Sequence, residues 1–375
     1  MKIFKDIALC VAYPNEFSIS ETFIKAHLDY LKPPFTLYNG FHPVRNQVGK
    51  LILPFPLNIL TVRGSLRNVF PSVFHYLYSK ILSKYLLQNG IEFLLAEYGP
   101  TGVALSDACA SAKIPFIVHF HGFDAYEIKT IEMYATAYKK MFEGARAIIA
   151  VSVDMKNRLI DLGADPSKVL LNPYGVNTEK FKNAEPVFSK PLFIAVGRLT
   201  AKKSPLNTIK AFSIVVKQFP DARLVMIGDG ELHSECSNLI KQLRIGEYVE
   251  LCGAQSHEFI AEYLQKGRAF VQHSMQAPGG DSEGTPNTIL EAEASGLPIV
   301  STFHAGIKEA VVHGETGFLV SEGDIDGMAE YMLRLAKDVH LAQTMGSAAQ
   351  KYIQDNYRMD VRISRLKEII ESCCA

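Results

Sequence analysis

The sequence predicts an α/β protein of two parallel-sheet domains, and three observations carry that prediction. Short apolar runs alternate with longer segments of helical periodicity along the chain. The alternation is interrupted between Asn172 and Pro191, where Pro173, Gly175, Pro186 and Pro191 replace periodic apolar residues, and then restarts. A length of 375 residues is enough for two separate cores. The expected domains are residues 1–180, completed by a C-terminal helix over about 358–375, and residues 181–357.

In the first half, Ile7 to Ala12 is an apolar strand ended by Tyr13-Pro14-Asn15, and Phe23 to Leu31 reads as a helix stopped by Pro33-Pro34. Val73, Phe74, Leu77, Ile81, Leu82, Tyr85 and Leu86 give residues 72–88 the spacing of an amphipathic helix. Strands follow at Ile91–Ala96, Pro115–Phe120 and Ala147–Val151, with helices between them and after the last. The second half repeats the pattern. Its strands are Leu192–Val196, Arg223–Ile227, two near Val249 and Ala269, Pro298–Ser301 and Gly317–Val320. Sites in such sheets lie outside the C-terminal ends of the strands, and the polar motifs of this chain fall at those ends.

Apolar residues make up 48% and charged residues 21%, the composition of a soluble globular protein. A formal net charge of +0 gives no basis for a nucleic-acid partner. No apolar run reaches the length of a membrane span, and Met1-Lys-Ile-Phe-Lys-Asp6 lacks a signal-peptide core, so a cytoplasmic location is expected. Cys10, Cys109, Cys236, Cys252, Cys373 and Cys374 form no CxxC or Cys/His cluster and read as reduced thiols. Between Asp29 and Glu92 there is no acidic residue, while Lys32, Arg45, Lys50, Arg63, Arg67, Lys80 and Lys84 fall there among several aromatics. This stretch, residues 30–91, has two readings. It is either a helix packed on its sheet with solvated lysines, or a weak peripheral contact with the anionic inner face of the plasma membrane.

The most informative segment is Asp281-Ser-Glu-Gly-Thr-Pro-Asn-Thr-Ile-Leu-Glu291, running on to Gly296. Thr285 suits the N-cap of a helix, Pro286 the first helical position and Gly296 the left-handed residue past the end. The unpaired backbone N–H groups of Asn287 and Thr288, with the positive end of the helix dipole behind them, then form an anion site. Glu283 lies in the loop before this helix and Glu291 inside it, on different faces. Gly197-Arg198-Leu-Thr-Ala-Lys-Lys203 follows a strand, and its two cations can clamp a diphosphate. Gly228-Asp-Gly230 lacks the full GxGxxG and reads as a tight strand-to-helix turn. His121 is either a hydrogen-bond donor to a ligand or a structural histidine. Asp324 and Asp326 have the spacing of a metal-binding pair but sit in a polar loop before a helix, and Asp326 or its neighbour reads as a cap rather than a ligand. No other metal cluster is visible, and a metal-free site is expected.

Together, GTPNTILEAEASGLPIV with its two glutamates, GRLTAKK before it, HGFD in the first half and NPYGVN at the junction resemble the retaining glycosyltransferases of family 4. The resemblance spans nearly the whole chain and implies the GT-B fold, two Rossmann-like domains facing a cleft. The segment SETFI after Pro14 resembles members that build bacterial exopolysaccharides. Family members usually carry Phe-Gly after the first glutamate, where this chain has Gly284-Thr-Pro286.

The resemblance implies a role for each matching residue. Arg198 and Lys203 neutralise the leaving diphosphate, and the amides of Asn287 and Thr288 hold its oxygens. Glu291 accepts the ribose hydroxyls. Glu283 and the backbone from Gly284 through Thr285 and Pro286 face the donor sugar. Gly197, Gly228 and Gly230 line the nucleotide site, and the Gly253–Ser256 loop with Gln255 lies near the base. His121, with Gly122 and Asp124, faces the sugar from the first domain, and the loop holding Ser20 lies near the phosphates or acceptor. The implied reaction is retaining hexosyl transfer from a nucleotide sugar, UDP-linked in first place, to a saccharide or lipid-linked acceptor, with no metal or other cofactor. An epimerase of the same fold and a non-catalytic nucleotide-sugar-binding relative are the alternatives. The first lacks a dedicated acid/base set, and the retained cations and glutamates argue against the second.

Overall fold

The computed structural model describes residues 3–15, 22–52, 71–181 and 191–374. The chain divides into two compact units, Met1–Asn172 with Ile363–Ala375, and Pro173–Arg362.

The first unit is built on a seven-stranded sheet. Its strands are β1 (Leu9–Ala12), β2 (Phe35–Tyr38), β3 (Arg45–Asn46), β4 (Phe93–Glu97), β5 (Phe116–His119), β6 (Ala147–Ala150) and β7 (Val169–Leu171), in the order β3-β2-β1-β4-β5-β6-β7. Every pairing is parallel except the short β2–β3 ladder. Every residue of β1, β4, β5 and β6 is buried, as expected of parallel strands covered on both faces, and this is why they read as unbroken apolar runs. The helix Gly99–Ala112 lies so close to the sheet that a Cβ on Gly102 would stand 2.7 Å from the Val118 side chain, which accounts for its small residues. The helix Pro71–Gln88 buries Phe74, Tyr78, Leu82 and Leu86 and exposes Val73, Tyr76 and Leu87.

The second unit has six strands: β8 (Leu192–Val196), β9 (Arg223–Ile227), β10 (Val249–Leu251), β11 (Ala269–Val271), β12 (Ile299–Thr302) and β13 (Gly317–Val320). Their order is β10-β9-β8-β11-β12-β13 and all pairings are parallel. Strand order reverses between β8 and β11, the kind of switch point at which open α/β sheets bind ligands. One apolar cluster includes Phe193, Phe212 and Met332, and a second includes Phe270, Leu290 and Leu297. These two-unit, parallel-sheet halves are the architecture the sequence predicts.

The helix Met359–Cys374 begins in the second unit and ends in the first. There it buries Ile363, Leu366, Ile369 and Ile370, and Glu371 Oε1 accepts from the Phe4 N–H at 2.6 Å.

Gly346 shows how tightly the second unit is packed. It lies on the helix Val339–Asn356, and a Cβ there would fall 1.9 Å from the carbonyl oxygen of Gly296, just past the end of the helix Asn287–Ala294. The obstacle is backbone, so the two helices would have to separate. Gly346→Ala is therefore expected to destabilise the protein by roughly 1–3 kcal/mol, on the scale of overpacked cores. A urea-unfolding midpoint equal to that of the parent protein would contradict this packing.

Candidate active site

In the second unit the site grows from the end of β8. Gly197 has φ 154° and turns the chain out of the strand, and the backbones of Gly228 and Gly230 press against this turn. A Cβ on Gly228, itself at φ 142°, would lie 2.0 Å from the Gly197 carbonyl oxygen, and one on Gly230 would lie 2.5 Å from that of Leu199. Gly197 N–H donates to the Ile227 carbonyl at 2.9 Å, and Gly228 N–H to that of Gly253 at 2.8 Å. The glycines of GDG thus serve a backbone-on-backbone approach, consistent with the tight-turn reading. They also carry the loop holding Gln255, whose Nε2 donates to the Cys252 carbonyl at 2.7 Å, to the same strand-end layer.

A short 3-10 turn over Ala201–Lys203 then points Lys203 back over the sheet. Its Nζ lies 3.1 Å from Glu283 Oε1 and 3.4 Å from Gln272 Oε1, a residue just past β11. The ion pair therefore spans the strand-order switch. Lys202 makes a parallel pair with Asp281 at 3.0 Å. Arg198 is exposed, its guanidinium unpaired among the described residues. Burial alone would raise the Glu283 carboxyl, but the charges of Lys203 and Lys202 outweigh it and hold the group below the usual carboxylate range.

The helix foreseen after this loop is present over Asn287–Ala294, with one difference at its start. Pro286, at φ −81° and ψ 84°, is the N-cap, and no side chain caps the helix, whereas the sequence assigns Thr285 to that position. As the N-cap residue, Pro286 uses its carbonyl to take the first helical bonds. Pro286 O accepts from Ile289 at 2.9 Å and from Leu290 at 3.1 Å, while Asn287 and Thr288 precede the first bonded N–H. Thr288 Oγ1 is buried at this same end without a hydrogen-bond partner among the described residues. Gly284, Thr285 and Pro286 are buried between Glu283 and the helix. Gly296 takes φ 86° past the C-terminus, as foreseen.

Glu291 is 8% exposed, and burial pushes its carboxyl up to about 7, with Lys180 and Lys203 only partly opposing. Asp324 caps the helix Ile325–Lys337 by accepting from the Gly327 N–H at 2.9 Å.

In the first unit, His121 and Gly122 follow β5. Asp124 is fully buried and accepts from the N–H groups of His121 (3.0 Å), Gly122 (2.9 Å) and Gly99 (2.9 Å), which ties the HGFD turn to the helix after β4. Burial raises its carboxyl in spite of these donors. His121 Nε2 lies 2.8 Å from Glu97 Oε2, His27 Nδ1 lies 2.7 Å from Glu97 Oε1, and the His121 ring stacks on Phe23 with centroids 4.3 Å apart. Burial works to raise the Glu97 carboxyl, but the His27 charge and the bonds from His121 and His27 keep it low. His27, Glu97 and His119 offer donor atoms of metal-binding type, all within 4.8 Å of one another. The short contacts to Glu97 are already those of one carboxylate bonded to two imidazoles. Ser20 lies outside the described residues.

The second unit therefore brings together Gly197, Lys203, Glu283, Gln272, Gly228 and Gly253, while His121, Gly122 and Asp124 form a separate cluster in the first unit. The sequence alone does not single out Gln272, Glu97, His27 or His304. His304 and Gln272 follow strand ends, the one signal that could have found them.

Two family profiles match the chain. "Glycosyltransferase Family 4" covers residues 48–180, and "Glycosyl transferases group 1" covers residues 176–352. The amylovoran biosynthesis glycosyltransferase AmsK of Erwinia amylovora is 29% identical over 285 residues, 75% of this chain and 70% of that protein. A putative colanic acid biosynthesis glycosyltransferase, WcaL, of Salmonella typhimurium is 29% identical over 272 residues, 70% of this chain and 66% of that protein. Among solved structures, Anabaena HepE in complex with UDP and glucose superposes with a TM-score of 0.76 at 17% identity, covering 98% of this chain and 100% of that one. Sucrose-phosphate synthase from Thermosynechococcus elongatus gives 0.74 at 16%, covering 97% and 98%. The fold is thus that of the GT-B glycosyltransferases, and the chain belongs to glycosyltransferase family 4.

Proposed function

We propose that this glycosyltransferase moves a hexosyl unit, with retention, from a UDP-sugar to a saccharide or lipid-linked saccharide acceptor in polysaccharide assembly, without a metal. The observation that carries the reading is one strand-end layer holding Arg198, Lys203, the free amides of Asn287 and Thr288, and two glutamates. Cleaving the anomeric C–O bond leaves negative charge on the diphosphate and positive character on the ring. Fixed cations and amides aimed at the leaving group stabilise that state more than the bound donor. In this reading Glu283, already beside Lys203, serves the sugar side, and Glu291 serves the ribose. In a front-face reaction the departing phosphate itself takes the acceptor's proton, so no protein nucleophile is needed.

Relatives supply the substrate class. AmsK and WcaL are named for exopolysaccharide synthesis, and an Escherichia coli relative, 27% identical over 308 residues, is a UDP-Gal:alpha-D-GlcNAc-diphosphoundecaprenol galactosyltransferase. No described helix is long and apolar enough to cross a membrane. Contact with a lipid-linked acceptor would then use the acid-free stretch, where Val73, Tyr76 and Leu87 are exposed and Lys80 lies 4.7 Å over the Tyr76 ring. Part of that stretch, residues 53–70, lies outside the described residues.

Incubation with a panel of nucleotide sugars tests the reading. Slow release of nucleoside diphosphate without acceptor, undiminished by EDTA, is expected. Conversion of one nucleotide sugar into another would favour an epimerase, and activity lost to EDTA and restored by Mg²⁺ or Mn²⁺ would refute the metal-free mechanism.

A further inference from the structure

Glu283 is held at its backbone as well as at its carboxylate. Its N–H donates to His304 Nε2 at 3.3 Å, and His304 Nδ1 lies 2.6 Å from Glu322 Oε1. The other oxygen of the same carboxylate, Glu322 Oε2, accepts from the Gln276 N–H at 3.0 Å. One carboxylate therefore fastens both ends of the segment from Gln276 to Glu283, directly at the first residue and through an imidazole at the last. Within that segment the Ala277 N–H donates to the Asp281 carbonyl at 3.0 Å, so the loop is closed on itself between its two fastenings.

The imidazole is fixed in its own right. His304 is 3% exposed and follows β12, with its N–H bonded to the Thr302 carbonyl at 2.8 Å and its carbonyl accepting from Ile307 at 2.9 Å. Ala305, next in the chain, sits at φ 39°, a left-handed conformation that a non-glycine residue adopts only when its surroundings impose it. A neutral imidazole that accepts at Nε2 must carry its proton on Nδ1, and Glu322 is the acceptor that selects this tautomer.

We propose that Glu322 and His304 are positioning residues for Glu283. By holding its amide they set where its carboxylate stands against Lys203 and the donor sugar. Neither side chain need touch substrate. The proposal rests on the reading that Glu283 serves the sugar, and it adds two residues that nothing in the family resemblance assigns.

A double-mutant cycle separates a positioning role from a structural one. Purified full-length Glu322→Ala, Glu322→Gln, Glu283→Gln and Glu322→Ala/Glu283→Gln are assayed for donor turnover, with nucleoside diphosphate affinity by calorimetry and melting temperature alongside. A glutamine at 322 keeps an acceptor oxygen for His304, so Glu322→Gln is expected to retain most of kcat. Glu322→Ala is expected to lower kcat by about 10- to 100-fold, the scale for a misplaced catalytic group, with diphosphate affinity and melting temperature nearly unchanged. In the Glu283→Gln background, Glu322→Ala should cost little more, because the residue it positions is already disabled. If the two losses multiply, or if Glu322→Ala keeps full kcat, the positioning role is overturned. If Glu283→Gln alone keeps full turnover, it is the functional reading of Glu283 that fails.

Discussion

Arg198→Ala and Lys203→Ala are each expected to lower kcat/KM by about 10²- to 10³-fold, the loss seen when one donor to a developing oxyanion is removed. The two should differ in stability. Arg198 is exposed, and its removal should cost little stability. Lys203 is paired at 3.1 Å with a Glu283 that is only 5% exposed, so Lys203→Ala strands a buried carboxylate. Lys203→Ala should therefore also lower the melting temperature, and adding Glu283→Gln should restore part of it. Near-parent kcat/KM in both single variants would remove these residues from the diphosphate site.

Glu291→Gln is expected to weaken nucleoside diphosphate binding by about 1–3 kcal/mol, since a carboxylate can accept both ribose hydroxyls and a carboxamide offers one acceptor oxygen. Burial adds a pH signature. The Glu291 carboxyl is pushed up to about 7, so it is largely protonated in mildly acidic solution and must lose a proton to accept twice. Affinity should rise between about pH 6 and about pH 8 in the parent protein, and the excess over Glu291→Gln should rise with it, which separates this effect from titration of the ligand itself. Stability runs the other way. A folded-state value raised from 4.5 means that the native protein binds the proton more tightly than the unfolded chain, so this contribution is full below about 4.5 and fades as pH rises through about 7. Calorimetry at several pH values checks the binding slope, and a parallel slope in Glu291→Gln would take the residue out of the ribose contact. Glu283→Gln should behave differently: it frees Lys203, so diphosphate binding should hold or tighten while transfer falls.

Much of this arrangement is legible in the sequence because parallel strands, helix stops and strand-end glycines leave local marks. The β8 turn at Gly197, the GDG turn and the left-handed Gly296 are positions where backbone geometry dictates the residue. Contacts made across the sheet are not marked this way. Nothing local ties Lys203 to Glu283, His304 to the amide of Glu283, or His27 to Glu97, residues separated by long stretches of chain. Thr-Pro favours a threonine cap locally, but along the buried path of residues 282–286 the cap falls at Pro286.

The route of the last helix bears on how the protein is made. The first unit is interrupted: residues up to Asn172 leave the ribosome well before Ile363, Leu366, Ile369 and Ile370, which that unit needs to close its surface. The second unit is continuous from Pro173 to Arg362 and is synthesised in one piece. Emergence from the tunnel in N-to-C order would ordinarily let the leading domain mature first. Here the leading domain has to wait, apolar surface uncovered, until the trailing one has passed. Release of a nascent chain after Asn172 should accordingly give an aggregation-prone fragment, and a chain stopped just before Ile363 should carry a finished second unit beside an unfinished first.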